Sequence, residues 1–222
     1  MPRRAQPDTI ARIPPASDIR WRDRFWFTLY YLLSFVALGF VVSFRPPSVV
    51  DVVGRPFAGH GLLAARILTD AGLFPVYAGL CVLLLIACYF KRELLRPALV
   101  SIGTLVVAWQ VSDACKVFFH RPRPLYWFAP HETSASYPSG HATLVIAFYG
   151  FWTAVAWQSD LPQVAKRWIR LAFAALALAI GWSRLALGAH FISDVIGGYL
   201  LGAAMASVGM LVFRALDPDD DA

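Results

Sequence analysis

Phe25-Trp-Phe-Thr-Leu-Tyr-Tyr-Leu-Leu-Ser-Phe-Val-Ala-Leu-Gly-Phe-Val-Val-Ser-Phe44 runs for 20 residues without a charged side chain. A helix of that length covers about 30 Å, the thickness of a bilayer's hydrocarbon core. The run is too long for a signal-peptide core. Ser43-Phe44-Arg45-Pro46 follows it in place of a small-residue cleavage site, so it is expected to stay as an anchor. Working outward, five more apolar runs lie between charged breaks, at 72–90, 97–115, 141–157, 168–182 and 191–213, those at 141–157 and 168–182 being shorter. The expected fold is all-α: an integral membrane bundle of six transmembrane helices over 25–213. A polar arm (1–24) precedes it and an acidic tail (214–222) follows.

Composition agrees. Hydrophobic residues make up 58% of the 222 and charged residues 15%, against about 45–50% and about 25% in soluble chains. A soluble enzyme, a disordered chain and a nucleic-acid module are poor fits despite the net charge of +6, because basicity here first needs a membrane explanation. Cys81, Cys88 and Cys115 sit in apolar runs and read as small buried hydrophobes, not as a disulfide framework or zinc site.

Loops rich in Lys and Arg stay cytoplasmic. Placing the amino terminus inside puts 13 of the 20 cations on the inner side and both termini in the cytoplasm. Cations nevertheless collect at the outer ends of the third and fifth runs. In the outer loop, Gly61-Leu-Leu-Ala-Ala-Arg-Ile-Leu68 fits either a short helix on the membrane surface or a connector packed on the bundle. Gly198 and Gly202 permit close packing, within the bundle or between protomers; sequence does not choose, and oligomeric state stays open.

This topology brings four helix ends to one face, each with unusual polar residues: Lys116 and Arg123, Ser139-Gly140-His141, Ser183-Arg184, and His190 with Asp194. A single outer cation would ordinarily snorkel to headgroups. Several together make an anion clamp, with Arg offering a planar fork to phosphate oxygens. Pro138-Ser139-Gly140-His141 reads either as a capped turn or as a helix N-terminus open to phosphate. His190 and Asp194, four apart, share a helix face. They form either a structural cap or a nucleophilic imidazole whose tautomer a carboxylate fixes. His141 supplies a second imidazole for proton transfer. Metal binding is disfavoured because the clustered cations would repel a divalent ion and few carboxylates offset them, although His131 and Glu132 lie nearby.

Lys116-Val-Phe-Phe-His-Arg-Pro-Arg123-Pro124, Pro138-Ser139-Gly140-His141 and Ser183-Arg184-Leu-Ala-Leu-Gly-Ala-His190-Phe-Ile-Ser-Asp194 resemble, in order and spacing, the three-part signature of the type 2 phosphatidic acid phosphatase superfamily. Its membrane members include phosphatidylglycerol phosphate and undecaprenyl pyrophosphate phosphatases. The resemblance implies a six-helix bundle with its active site at the outer membrane interface and a metal-free, cofactor-free reaction through a phosphohistidine. By this similarity His190 is the nucleophile, Asp194 its orienting partner and His141 the general acid then base. Lys116, Arg123, Ser139, Gly140 and Arg184 hold phosphate oxygens. Six-residue spacing selects Arg123 over Arg121, which is left as a neighbouring charge.

The expected function is hydrolysis of a lipid mono- or diphosphate (polyprenyl diphosphate, phosphatidylglycerol phosphate or phosphatidic acid). The expected setting is a bacterial inner membrane with the site facing the periplasm. The partners are then the lipid phosphate and the bilayer, with no nucleic acid. Two alternatives remain: a lipid phosphotransferase using the same intermediate, and, from another class, an anion transporter.

Overall fold

Proline, glycine and charge decide where the apolar runs break. The computed structural model describes residues 21–44, 51, 55–125, 128 and 132–216. Most of the expected arm, residues 217–222 of the tail, and His131 lie outside them. The described residues form helices α1 (Trp21–Ser43), α2 (Leu62–Ala71), α3 (Phe74–Phe90), α4 (Leu95–Phe119), α5 (Gly140–Val145), α6 (Phe151–Gln158), α7 (Gln163–Ala186) and α8 (Ile192–Ala215), with no strand among them. A π turn, Ile146–Gly150, joins α5 to α6. Short 3-10 turns sit at Arg55–Phe57 and Arg92–Leu94.

Helix α1, the Arg92–Phe119 stretch, α7 and α8 are long and apolar enough to cross a membrane among the described residues. The pair α2 and α3, bent by 45°, makes a fifth if it is one span. All six apolar runs fall on helical segments. The fifth is far longer than its apolar run of 168–182 suggests. Lys166 lies before that run and Arg170 inside it, and both fold back onto Trp157: the Lys166 ammonium donates to the Trp157 carbonyl at 3.0 Å, and Arg170 lies 4.0 Å over its ring.

Helix α2 is a helix and is also packed. Ala65 is fully buried against Ala186, Leu187 and Ala189, while Leu63 and Ile67 face outward. Helix α4 ends where His120 turns left-handed (φ 49) and Pro122 and Pro124 forbid continuation.

Tyr137 anchors the start of α5. It is fully buried, stacks on Phe35 with ring centroids 5.4 Å apart, meets Phe119 edge-on, and donates its hydroxyl to the Phe35 carbonyl at 2.7 Å. The segment Pro138-Ser139-Gly140 therefore hangs from a wedge among α1, α4 and α8. Gly198 and Gly202 act within the bundle. A Cβ on Gly198 would stand 2.5 Å from the Ser139 carbonyl oxygen, and one on Gly202 would stand 2.5 Å from that of Thr143. Backbones in contact cannot yield as side chains do. Gly198→Ala is thus expected to cost about 1–3 kcal/mol and to lower the midpoint of thermal unfolding in detergent. An unchanged midpoint would mean that α8 does not pack on Ser139 as described.

Candidate active site

The turn between α7 and α8 sets the site. Gly188, at φ 64, supplies a left-handed conformation that a side chain would strain, and the Ala189 amide then returns to the Arg184 carbonyl at 3.0 Å. The chain so reversed delivers His190 just before α8 begins. Asp194, in the first turn of α8, accepts the Phe191 amide at 2.8 Å, and its own carbonyl takes the Ser139 amide at 3.0 Å. The Ser-Arg, His-Asp and Ser-Gly-His segments are tied together by these backbone contacts.

His190 is 2% exposed. Arg123 Nη1 lies 3.2 Å from its Nε2, and Asp194 Oδ2 and the Ser136 hydroxyl lie 3.6 and 3.5 Å from its Nδ1. Because a guanidinium only donates, Nε2 is the accepting nitrogen and the proton belongs on Nδ1, facing the carboxylate. Burial first, then the positive Arg123 and Arg184, push the His190 pKa well below its ordinary value, so the imidazole is neutral at pH 7 with its lone pair toward Arg123.

The cations are not snorkelling. Arg123 and Arg184 side chains are 6% and 3% exposed. Arg123 is held by the carbonyls of Ser134 and Ala189 at 2.7 and 2.9 Å and by the Ser134 hydroxyl at 3.0 Å. Arg184 Nη1 donates to Thr69 Oγ1 on α2 at 3.3 Å. Lys116 pairs with Asp113 at 3.0 Å, and its ammonium lies 3.5 Å from where a Cβ of Gly140 would stand, so the missing side chain opens the helix start toward a cation. Ser139 occupies the N-cap of α5, but its hydroxyl makes no cap bond and is buried without a partner among the described residues. The turn therefore does not spend that hydroxyl on capping. His141 Nε2 is likewise buried and unpartnered there. It lines a cavity of about 490 Å³ with Arg66, Thr69, Asp70, Glu132 and Arg184. A second cavity, of about 880 Å³, is lined by Lys116, Arg121, Arg123, Asp113 and Glu132, among others. Glu132 belongs to both.

All eight residues marked in the sequence thus sit at this junction. Three further features emerge only in space. Arg121 is no loose neighbour: it is 3% exposed, packs 4.5 Å over the Phe191 ring, bonds Ser193 and Asp51 at 2.7 and 2.8 Å, and pairs with the far oxygen of Asp194. Ser136 donates to the other oxygen of Asp194. Carboxylates are also more plentiful than the sequence suggested. Asp51, Asp113, Glu132 and Asp194 each pair with one or more of Lys116, Arg121, Arg123 and Arg184. The Glu132 carboxyl, raised by burial but pulled down more strongly by Arg184 and Arg123, sits at about 2. A carboxylate flanked by Val49, Val50, Val52 and Val53 was the available signal for Asp51; Ser136 carried none.

Comparison with known proteins places this geometry among relatives. The model of the PAP2 superfamily matches residues 94–217. The lipid A 1-phosphatase of Rhizobium johnstonii is 32% identical over 120 residues, which is 50% of this chain and 45% of that protein. Phosphatidylglycerophosphatase B of Bacillus subtilis is 35% identical over 94 residues, 41% of this chain and 46% of that protein. The chain thus spans about half the length of these relatives. Among solved structures, the transmembrane PAP2 type phosphatidylglycerolphosphate phosphatase of Bacillus subtilis superposes with a TM-score of 0.73 at 21% identity, covering 87% of this chain and 98% of that one. That likeness establishes the fold.

Proposed function

The chain belongs to the PAP2 superfamily, and from that membership we propose that it is an integral-membrane lipid phosphatase acting through a phosphohistidine on His190. One observation carries the reading: the accepting nitrogen of a buried, neutral His190 faces Arg123 while its other nitrogen is backed by Asp194. A lone pair held against a cation cradle is what an attack on phosphorus requires.

In this mechanism Arg123, Arg184, Lys116, the Ser139 hydroxyl and the helix start at Gly140 hold the phosphoryl oxygens. They stabilise charge that grows on the equatorial positions without moving. His190 Nε2 forms a bond to phosphorus as the bond to the lipid oxygen breaks, and His141 gives that oxygen a proton. Asp194 stabilises the resulting cationic phosphoimidazole across Nδ1. Water then attacks phosphorus on the face the lipid has left, loses its proton to His141, and frees His190 and inorganic phosphate. The buried, unpartnered nitrogen of His141 is suited to both transfers.

Six spans, with the site at the outer face and both termini inside, fit the charge distribution. An amphiphile then keeps its chains in the bilayer while its phosphate enters at the interface. Polyprenyl diphosphate, phosphatidylglycerol phosphate and phosphatidic acid all have that form. Purified protein is expected to release inorganic phosphate from at least one of these with EDTA present, the panel ranking them. Absence of release from folded protein on all three would count against hydrolysis, and EDTA-sensitive release against a metal-free reaction. Transfer of phosphate to an acceptor lipid in place of water would mark the phosphotransferase.

A further inference from the structure

Glu132 bridges the two arginines assigned to the phosphate. One of its carboxylate oxygens accepts from Arg123 at 2.7 Å, the other accepts from Arg184, and the side chain lines both the cavity on the Arg123 side and the cavity that holds His141 and Arg184. Two oxygens of one anion on two guanidiniums is the arrangement expected of a phosphoryl group in the same cradle. The other three carboxylates differ. Asp51 and Asp194 are buried on Arg121, and Asp113 sits on Lys116. Glu132 is the one that joins two cations assigned to the substrate, and at 38% side-chain exposure it has solvent to retreat into.

A brace would be the simpler role, but the two arginines have other holds. Arg123 keeps the carbonyls of Ser134 and Ala189, and Arg184 keeps Thr69. We propose that Glu132 is a tethered competitor for phosphate: its carboxylate fills the Arg123–Arg184 cradle in the empty enzyme, and every phosphate ligand must displace it. The inference rests on the reading of that cradle as the phosphate site.

A quantitative signature follows. When only a fraction of the protein has an open cradle, the apparent dissociation constant of any ligand needing both guanidiniums rises by the inverse of that fraction, whatever the ligand. Glu132 therefore weakens product phosphate and the ground-state substrate headgroup by one common factor. It loosens the grip on the product at no cost in discrimination. Where the tethered carboxylate's effective concentration exceeds its own dissociation constant from the two guanidiniums about tenfold, that factor is about tenfold.

The test is calorimetric titration of the full chain in detergent with inorganic phosphate and, separately, glycerol phosphate, for wild type, Glu132→Gln and Glu132→Ala. Thermal unfolding confirms that each protein is folded. Both variants are expected to bind both ligands about tenfold more tightly, with equal ratios for the two. Binding equal to wild type, or weaker, would overturn the proposal and make Glu132 a brace, leaving the phosphatase reading intact. If neither wild type nor variants bind phosphate, both readings fall together.

Discussion

Replacing His190 by alanine is expected to abolish phosphate release, a fall of about 10⁵-fold or more in kcat, while the protein still binds inorganic phosphate. The split follows from the geometry. The proposed cradle is built by Arg123, Arg184 and Lys116, and each of the three has contacts that do not involve the imidazole. In the proposed mechanism, removing His190 takes away the atom that bonds phosphorus but leaves the groups that hold oxygen. Activity within tenfold of wild type would show that water, or another side chain, attacks directly. Loss of phosphate binding together with loss of turnover would show that His190 holds the site together.

Asp194→Asn should have the second largest effect, a fall in kcat of about 10²–10⁴-fold with KM little changed. Asp194 is fully buried and accepts from Arg121, Ser136 and the Phe191 amide while facing His190 Nδ1. An amide in its place keeps the shape. It presents an NH₂ to one of those donors and removes the charge that stabilises a cationic phosphoimidazole. The carboxylate pairs with Arg121 and faces the imidazole, and among the described residues it makes no ion pair with Arg123, Arg184 or Lys116, so substrate binding has little reason to change. A kcat within threefold of wild type, or a rise in KM that accounts for the whole loss, would contradict this role. The same variant is expected to unfold at lower temperature, since Arg121 would keep only one of its two carboxylates.

The apolar runs announced the helices because a bilayer demands about 20 residues without charge, and that constraint leaves a long, local signal. The grouping of the eight candidate residues was legible for another reason: they come in three short segments, each at the end of a run, with spacings that a helix face or a helix start makes meaningful. What sequence missed acts at a distance. Arg121 and Arg123 are two residues apart with a proline after each, yet one turns inward to Asp51 and Asp194 and the other toward His190. Six-residue spacing distinguished them without saying where the first would go. Asp51 is 70 residues from the arginine it pairs with, and Ser136 is 58 from Asp194; no periodicity links such pairs. The N-cap of α5 left two readings open in the sequence. Serine there is the ordinary capping choice, and only coordinates reveal that its hydroxyl is not used for it. Helix α7 begins before its apolar run because Lys166, which precedes the run, finds the Trp157 carbonyl, while Arg170 covers the Trp157 ring.

The central claim is covalent: phosphate passes through His190. The most direct measurement is rapid mixing of the protein with a lipid phosphate labelled on its terminal phosphorus, quenching in alkali, and mapping of the protein-bound label by mass spectrometry. The account predicts one phosphorylated residue, His190, with the label released by acid, formed as fast as turnover, and absent from His190→Ala. Turnover without label on His190, or label on His141 instead, would contradict it.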